Sequence, residues 1–268
     1  MKFRIVAAVL VAPVAALALA GAQNAGAQSN GSGYVGKGQL VVQTAVAGID
    51  KLTVGGDIAL EERGQLIRLD VLSLAIPGQD AVVSAVLGTQ LFPPGGFTVV
   101  YDRAAATYTV WSNARRAYYS NATARTAKPS ATAPPLGDAI GAAGDLFAPL
   151  AFAKGLRDDT AFTASVSLVG HGTVNGHPAT GVDYQYARTT RAGEKTDVHG
   201  RLQLADDLDD VPVQITASVK LKSIPQSSLR LDLTSIAKQS PSEGDFVVPA
   251  GYTRTADLGG VLGKTLAP

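Results

Sequence analysis

The chain has 268 residues, with 23 basic side chains, 22 acidic side chains and no cysteine. This near-neutral balance excludes the clustered Lys and Arg that nucleic acid binding requires, and it provides no polybasic patch for anionic lipid head groups. The lack of cysteine excludes disulfide bonds, thiolate catalysis, cysteine-based zinc sites and a lipidated cysteine.

The first 27 residues have the pattern of a secretory signal peptide. Lys2 and Arg4 precede an apolar stretch that ends at Ala20 and is followed by small residues. The stretch contains Pro13 and is short for a spanning helix, which needs about 20 apolar residues. We expect residues 1–27 to be removed on export, which leaves a periplasmic or secreted protein that does not span the membrane. A retained N-terminal anchor is the alternative.

The rest of the chain is expected to form one domain. Residues 28–37 are rich in Gly, Ser and polar residues and predict a flexible leader. The glycines of Gly33–Gly38 resemble a phosphate-binding loop, but they follow no predicted strand, so we do not expect them to bind phosphate. Residues 38–268 predict a single β domain. Within it, residues 121–137 are rich in Ala, Pro and Thr and predict a mobile loop.

Apolar and polar residues alternate through most of this domain. The clearest run is Val213–Leu221, and similar runs occupy Phe162–Leu168, Val198–Leu204 and Leu229–Leu233. A strand with one apolar and one polar face is typical of an antiparallel sheet that is wetted on one side. The sequence therefore predicts a mainly β fold, with about ten strands in one strongly curved antiparallel sheet, mostly in meander order.

Glycine-containing pairs mark the expected turns between these strands. Gly55-Gly56 precedes a predicted strand at Asp57–Glu62, and Arg63-Gly64 separates that strand from Leu66–Leu74. Asn175-Gly176 has the composition of a tight hairpin turn.

One segment has helical spacing. In Asp138–Leu156, apolar residues that include Phe147 and Leu150 recur three and four positions apart. Pro149 would kink this helix or divide it in two. The segment Asp80–Leu91 fits either a short helix or a strand.

Four stretches carry a resemblance to a known group of proteins. They are Gly56–Asp70, Phe97–Trp111 followed by Tyr118-Tyr119, Val174–Tyr184 and Asp245–Tyr252. In this order, which spans most of residues 38 to 255, the chain resembles the LolA-like superfamily of exported carriers, which includes LolA, LolB and RseB. The resemblance implies a half-barrel whose concave face is apolar and is covered by one or two helices. It also implies a cavity for an acyl chain or another apolar ligand.

Six residues are the candidates for contact with such a ligand. They are Tyr101, Tyr108, Trp111, Phe147, Leu150 and Phe152. Ordinary packing of cross-strand aromatic pairs and of a helix explains the same residues without a ligand. The functional alternative is that the aromatic residues form a cavity wall and the helical residues form a plug that an acyl chain displaces.

The sequence predicts no catalytic residue, no cofactor and no metal site. His171 and His177 flank a turn without a carboxylate at ligand spacing, whereas zinc normally needs three or four ligands. The acidic run from Asp206 to Asp210 lacks the glycine of a calcium loop and predicts a solvated turn. No Gly-x-Ser-x-Gly motif of a hydrolase occurs.

These observations favour an exported soluble binding or carrier protein that holds a lipid or acyl group in the half-barrel. An envelope sensor or scaffold, which binds a protein partner through a sheet edge or the loop, is the first alternative. A hydrolase whose catalytic residues meet only in the folded chain is the second. No nucleic acid partner is expected.

Overall fold

The computed structural model describes residues 33–46, 49–76, 95–102, 105, 107–120, 159–190, 195–208, 210–221 and 224–262. The signal peptide, the Ala/Pro/Thr loop and the helix predicted at Asp138–Leu156 lie outside these residues, as does the ambiguous segment Asp80–Leu91. Among the described residues, no helix is both long enough and apolar enough to cross a membrane.

Twelve strands form one large curved, open sheet, which confirms the predicted fold class. The strands are β1 (Gly33–Val46), β2 (Ile49–Arg63), β3 (Leu66–Val71), β4 (Phe97–Asp102), β5 (Thr107–Ser112), β6 (Ala117–Ser120), β7 (Asp159–Val174), β8 (His177–Thr190), β9 (Lys195–Ala205), β10 (Val211–Leu221), β11 (Ile224–Lys238) and β12 (Thr253–Arg254). Within the described ranges the helical elements are the α-helix α1 (Leu258–Leu262) and two 3₁₀ turns, Asp206–Leu208 and Glu243–Phe246.

The sheet consists of two meanders that are joined along one seam. Strands β1 to β6 lie side by side in chain order, as do β7 to β11, and every pair within each meander is antiparallel. The seam is the antiparallel pair β1–β11, in which Leu40 lies opposite Leu231. The short strand β12 pairs in parallel with β6. The two edges of the sheet are therefore β12 and β7.

Contacts at the hairpin between β7 and β8 reveal how strongly the sheet curves. The side-chain amide of Asn175, in this turn, donates hydrogen bonds to the carbonyl oxygens of Val213 at 3.2 Å and Leu233 at 2.8 Å. Leu233 belongs to β11, which is three strands away from β8, and three strand spacings of a flat sheet amount to about 14 Å. Direct hydrogen bonds across this distance require the sheet to curl toward the side on which Asn175 lies.

The first strand begins earlier than the sequence indicated. Gly33 to Lys37 belong to β1 and pair with β2 on one side and β11 on the other, so these residues are not part of a leader. A Cβ atom at Gly38 would overlap the backbone carbonyl of Asp232. The glycines that resemble a linker in the sequence are thus needed for close approach of neighbouring backbones.

The prediction of a turn at Gly55-Gly56 is also wrong, because these glycines too are needed for the close approach of another backbone segment. Both glycines lie inside β2, which starts at Ile49. Gly55 exchanges two backbone hydrogen bonds with Ala75, at 2.7 and 2.8 Å, and a Cβ atom at Gly56 would overlap the carbonyl oxygen of Ser73. The glycines allow the segment after β3, which ends at Val71, to cross close to β2.

Candidate functional site

One face of the sheet carries the main apolar cluster, and we call it the inner face. Alternate residues of β1 to β5 and β8 to β11 point to this face, together with two residues of α1. Its buried members are Leu40, Val42, Leu52, Val54, Ile58, Leu60, Ile67, Leu69, Val71, Ile76, Phe97, Val99, Tyr101, Tyr108, Val110, Val182, Tyr184, Val198, Leu202, Leu204, Ile215, Ala217, Leu229, Leu231, Leu233, Val261 and Leu262. The two meanders therefore share one continuous apolar surface.

Tyrosines form a row on the inner face at the β6 end of the sheet. Tyr101 on β4 lies directly opposite Tyr108 on β5. The rings of Tyr108 and Tyr119, the latter on β6, have centroids 5.9 Å apart and planes tilted by 48°. Burial raises the pKa of the Tyr108 hydroxyl well above its ordinary value, and the neighbouring Tyr119 raises it further. These three residues, which we call the tyrosine row, combine apolar rings with hydroxyl groups.

The aromatic residues predicted to form one site are divided between the two faces. Tyr101 and Tyr108 lie in the inner cluster, whereas Trp111 packs with Val100 and Phe246 on the opposite, outer face. Trp111 also lies under a guanidinium group, with Cζ of Arg68 5.8 Å from its ring centroid. A ligand on the inner face would not contact Trp111. The period of two along β5 separates positions 108 and 111, so the sequence already held the signal for this division.

The other three predicted contacts are Phe147, Leu150 and Phe152. They lie outside the described residues, so their proposed role as a plug stays a prediction. Tyr119, which follows Tyr118 in the aromatic stretch but is not one of the six candidates, is half-buried and packs against the inner cluster.

Four half-buried apolar residues mark where the inner face reaches the surface. They are Leu74, Tyr119, Ile236 and Leu258. Tyr119 belongs to β6, and Leu258 begins α1, which contacts both β5 and β6. The apolar surface therefore continues to solvent next to the tyrosine row.

Two hydroxyl groups are buried within the inner face, where a hydroxyl without a hydrogen-bond partner destabilises the fold. The hydroxyl of Tyr184 donates to the carbonyl oxygen of Thr216 at 3.0 Å. The hydroxyl of Ser112 is fully buried and has no hydrogen-bond partner among the described residues. An unsatisfied buried hydroxyl costs about 1–3 kcal/mol, and it is a group that a polar ligand atom could satisfy.

The segment that follows β11 packs on the outer face of the first meander, β2 to β6. Arg63 donates to the carbonyl oxygen of Pro241 at 2.7 Å, and Arg68 donates to that of Asp245 at 2.8 Å. Arg68 also forms an ion pair with Asp70 at 3.0 Å. These contacts fix the C-terminal segment to the sheet, so the outer face has a structural explanation.

A second polar cluster lies at the tip of the β7–β8 hairpin. The hydroxyl of Thr180 donates to Asp206 at 2.7 Å and lies 2.9 Å from Nδ1 of His171. Nδ1 of His177 lies 3.0 Å from a carboxylate oxygen of Asp207. The sequence placed the histidines and the acidic run in separate turns, and folding brings them together. The pairing of β8 with β9, not any spacing along the chain, creates these contacts.

This cluster lacks the bonding order of a catalytic triad. In a triad the imidazole links the hydroxyl to the carboxylate, whereas here the Thr180 hydroxyl lies between the other two groups. Nδ1 of His171 is 3.8 Å from the nearer Asp206 oxygen, and its side chain is 79% exposed. No group of three His, Asp or Glu side chains suited to a metal ion occurs in the described ranges. The cluster ties the hairpin to the turn after β9.

Comparisons with known proteins do not show which family the chain belongs to. No family model matches the chain, and no curated protein matches it. A solved structure of a DUF1329 family protein from Desulfovibrio piger ATCC 29098 is similar over 91% of this chain and 97% of that chain, at 9% identity and a TM-score of 0.20. A likeness this distant carries no argument about function, and the resemblance to the LolA-like superfamily stays an interpretation of the sequence.

Proposed function

We propose that the chain is an exported binding protein that holds an apolar ligand, a lipid or acyl group, against the inner face of its curved sheet. The observation that carries this proposal is the continuous apolar inner face, which extends to half-buried residues beside the tyrosine row. Affinity would come from apolar area removed from water, and no covalent step is required.

The chemistry of the tyrosine row suits this class of ligand. Its rings offer apolar contact, and burial raises the pKa of the Tyr108 hydroxyl, which keeps that hydroxyl neutral. Neutral hydroxyls can hydrogen-bond a polar end of a ligand without the desolvation cost of a buried charge. The expected export of the chain, inferred from residues 1–27, would place the protein where envelope lipids are available.

Native mass spectrometry of the protein isolated from the cell envelope tests the proposal. We expect a bound species of lipid mass that organic extraction removes. The extracted protein should then bind a fluorescent fatty acid. If no bound species is found and the fluorescent probe does not bind, the proposal is contradicted.

Two adjacent tyrosines on β6 provide a matched pair of variants. Tyr119 packs against the inner cluster, whereas Tyr118 packs against the outer one. We expect Tyr119→Ala to weaken fatty acid binding by about tenfold, because burial of an aromatic side chain is worth about 1.5–3 kcal/mol. Tyr118→Ala should leave the affinity within about twofold of the unmodified protein. Equal losses in both variants would mean that the inner face does not hold the probe.

A further inference from the structure

Among the described strands, β7 forms one edge of the sheet, so a row of its backbone groups faces no other strand there. From Ala161 to Leu168 it pairs with β8 in a regular antiparallel register, which β-bulges interrupt at both ends. In the part of the chain that the structure describes, no strand pairs with its other side. An edge of this kind presents alternating N–H and C=O groups that can hydrogen-bond to another strand.

Between its two β-bulges, this edge lacks the usual features that prevent such pairing. Natural edge strands are commonly short, or they carry lysine or proline. β7 is 16 residues long, and no charged residue or proline occurs between Thr160 and Gly170. The opposite edge of the sheet, β12, has only two residues. The two edges therefore differ in how well they are protected.

Two exposed apolar side chains lie toward one end of this edge. Leu168 is 79% exposed and Val169 is 46% exposed. Both residues lie at the β-bulge that follows Leu168, where regular alternation between the two faces is interrupted. Ser165 and Ser167 are exposed as well. These exposed side chains along β7 are therefore available to a partner strand.

We propose that β7 pairs antiparallel with β7 of a second copy of this chain, which gives a two-fold symmetric dimer with one continuous sheet. The absence of charge between Thr160 and Gly170 favours a second copy, because antiparallel pairing of these residues with themselves places no like charges opposite each other in any register. A charged peptide would find no complementary group along these residues. Pairing over Ala161–Leu168 alone is small for a specific interface, so the dimer is weak.

Sedimentation velocity over a range of protein concentrations tests this proposal. We expect a reversible dimer that is well populated at about 100 μM and dissociates near about 1 μM. A protein that stays monomeric up to about 1 mM would overturn the proposal.

Lysine substitutions locate the interface. The double variant Ser165→Lys/Ser167→Lys places like charges on the edge and should weaken the dimer at least tenfold. Leu168→Ser should weaken it without any added charge. The control Ala114→Lys/Gln239→Lys adds the same charge at two exposed positions, one in the turn between β5 and β6 and one just after β11, and should dimerise as the unmodified protein does. A dimer that survives both β7 variants, or that the control also abolishes, would exclude pairing through β7.

Discussion

At the scale of single residues, Gly200 shows how the absence of a side chain shapes the inner face. Gly200 on β9 lies opposite Tyr184 on β8, and the tyrosine ring crosses it to reach the carbonyl oxygen of Thr216 on β10. A Cβ atom at this position would overlap both the Tyr184 ring and that carbonyl oxygen. The glycine thus makes room for a buried tyrosine and for its hydrogen bond.

We therefore expect Gly200→Ala to reduce the free energy of unfolding by about 2–3 kcal/mol, as overpacking does in a close-packed core. Gly172→Ala is the matched control, because a Cβ atom at Gly172 on β7 would meet nothing within 4 Å. Its effect should stay within about 0.5 kcal/mol of zero. Urea denaturation of both variants checks the prediction, and equal stabilities would refute the steric explanation.

Glu61 on the outer face provides a pH-dependent prediction. Burial raises the pKa of its carboxyl group above the ordinary value of 4.5; the Arg68 charge opposes the shift, and Asp245 and Asp70 reinforce it. One carboxylate oxygen is buried without a hydrogen-bond partner in the described structure. Because the folded-state pKa is above the unfolded one, the folded state binds the proton more tightly, and stability falls as pH rises through the folded-state pKa.

Glutamine imitates the protonated acid, so Glu61→Gln should have a higher melting temperature than the unmodified protein at pH 7. The difference should disappear below the ordinary pKa of 4.5, where both side chains are neutral in both states. Thermal unfolding followed by circular dichroism at pH 7 and pH 4 measures it. A lower melting temperature for the variant at pH 7 would show that attraction to Arg68 outweighs desolvation.

At the scale of elements, the β7–β8 hairpin depends on Asn175 in two separate ways. Its backbone is in the left-handed region, with a φ of 53°, which glycine and asparagine tolerate best. Its amide donates hydrogen bonds to the carbonyl oxygens of Val213 and Leu233. Both carbonyl groups lie where a β-bulge interrupts the regular pairing of β10 or β11 with a neighbouring strand. The turn therefore also closes one end of the curved sheet.

Two substitutions separate these contributions. Asn175→Gly keeps the turn conformation and loses the amide, which should cost about 1–2 kcal/mol for two hydrogen bonds. Asn175→Ala also places a Cβ atom in a left-handed conformation, which should add about 1 kcal/mol. Chemical denaturation of both variants checks the order of stabilities. If alanine is tolerated as well as glycine, backbone conformation is not a limiting factor here.

The sequence predicted the elements whose partners are near in the chain. Alternation located the cores of β7, β9, β10 and β11 correctly, because each has one apolar and one polar face. It missed the start of β1 at Gly33 and placed a turn at Gly55-Gly56, because the reason for these glycines is a backbone that approaches from a distant part of the chain. Composition alone does not distinguish such glycines from those of a linker.

The candidate site was predictable only where alternation within one strand decides which face a residue occupies. The period of two assigns Tyr108 and Trp111 of β5 to opposite faces, and the structure has this arrangement, whereas the shared face of Tyr101 and Tyr108 follows from the pairing of β4 with β5. The contacts between Thr180, His171 and Asp206 depend on which strands are neighbours, and no spacing along the sequence reveals them.

At the scale of the whole molecule, the inner face joins both meanders through one seam, so anything bound there stabilises the fold as a unit. A ligand that binds only the folded state at 100 times its dissociation constant adds about 2.7 kcal/mol to the free energy of unfolding. For a chain of this length, about 1 kcal/mol corresponds to about 2–4 °C in melting temperature. The proposed function therefore predicts a large effect of ligand removal.

Protein isolated from the envelope should lose about 5–10 °C in melting temperature after its apolar ligand is extracted under native conditions, and saturating fatty acid should restore the loss. Tyr119→Ala should show a smaller recovery at the same fatty acid concentration, because fewer inner-face contacts remain, whereas Tyr118→Ala on the outer face should recover fully. Differential scanning calorimetry measures all three proteins. Identical melting temperatures before and after extraction, with no response to fatty acid, would mean that the inner face serves only as the core of the protein.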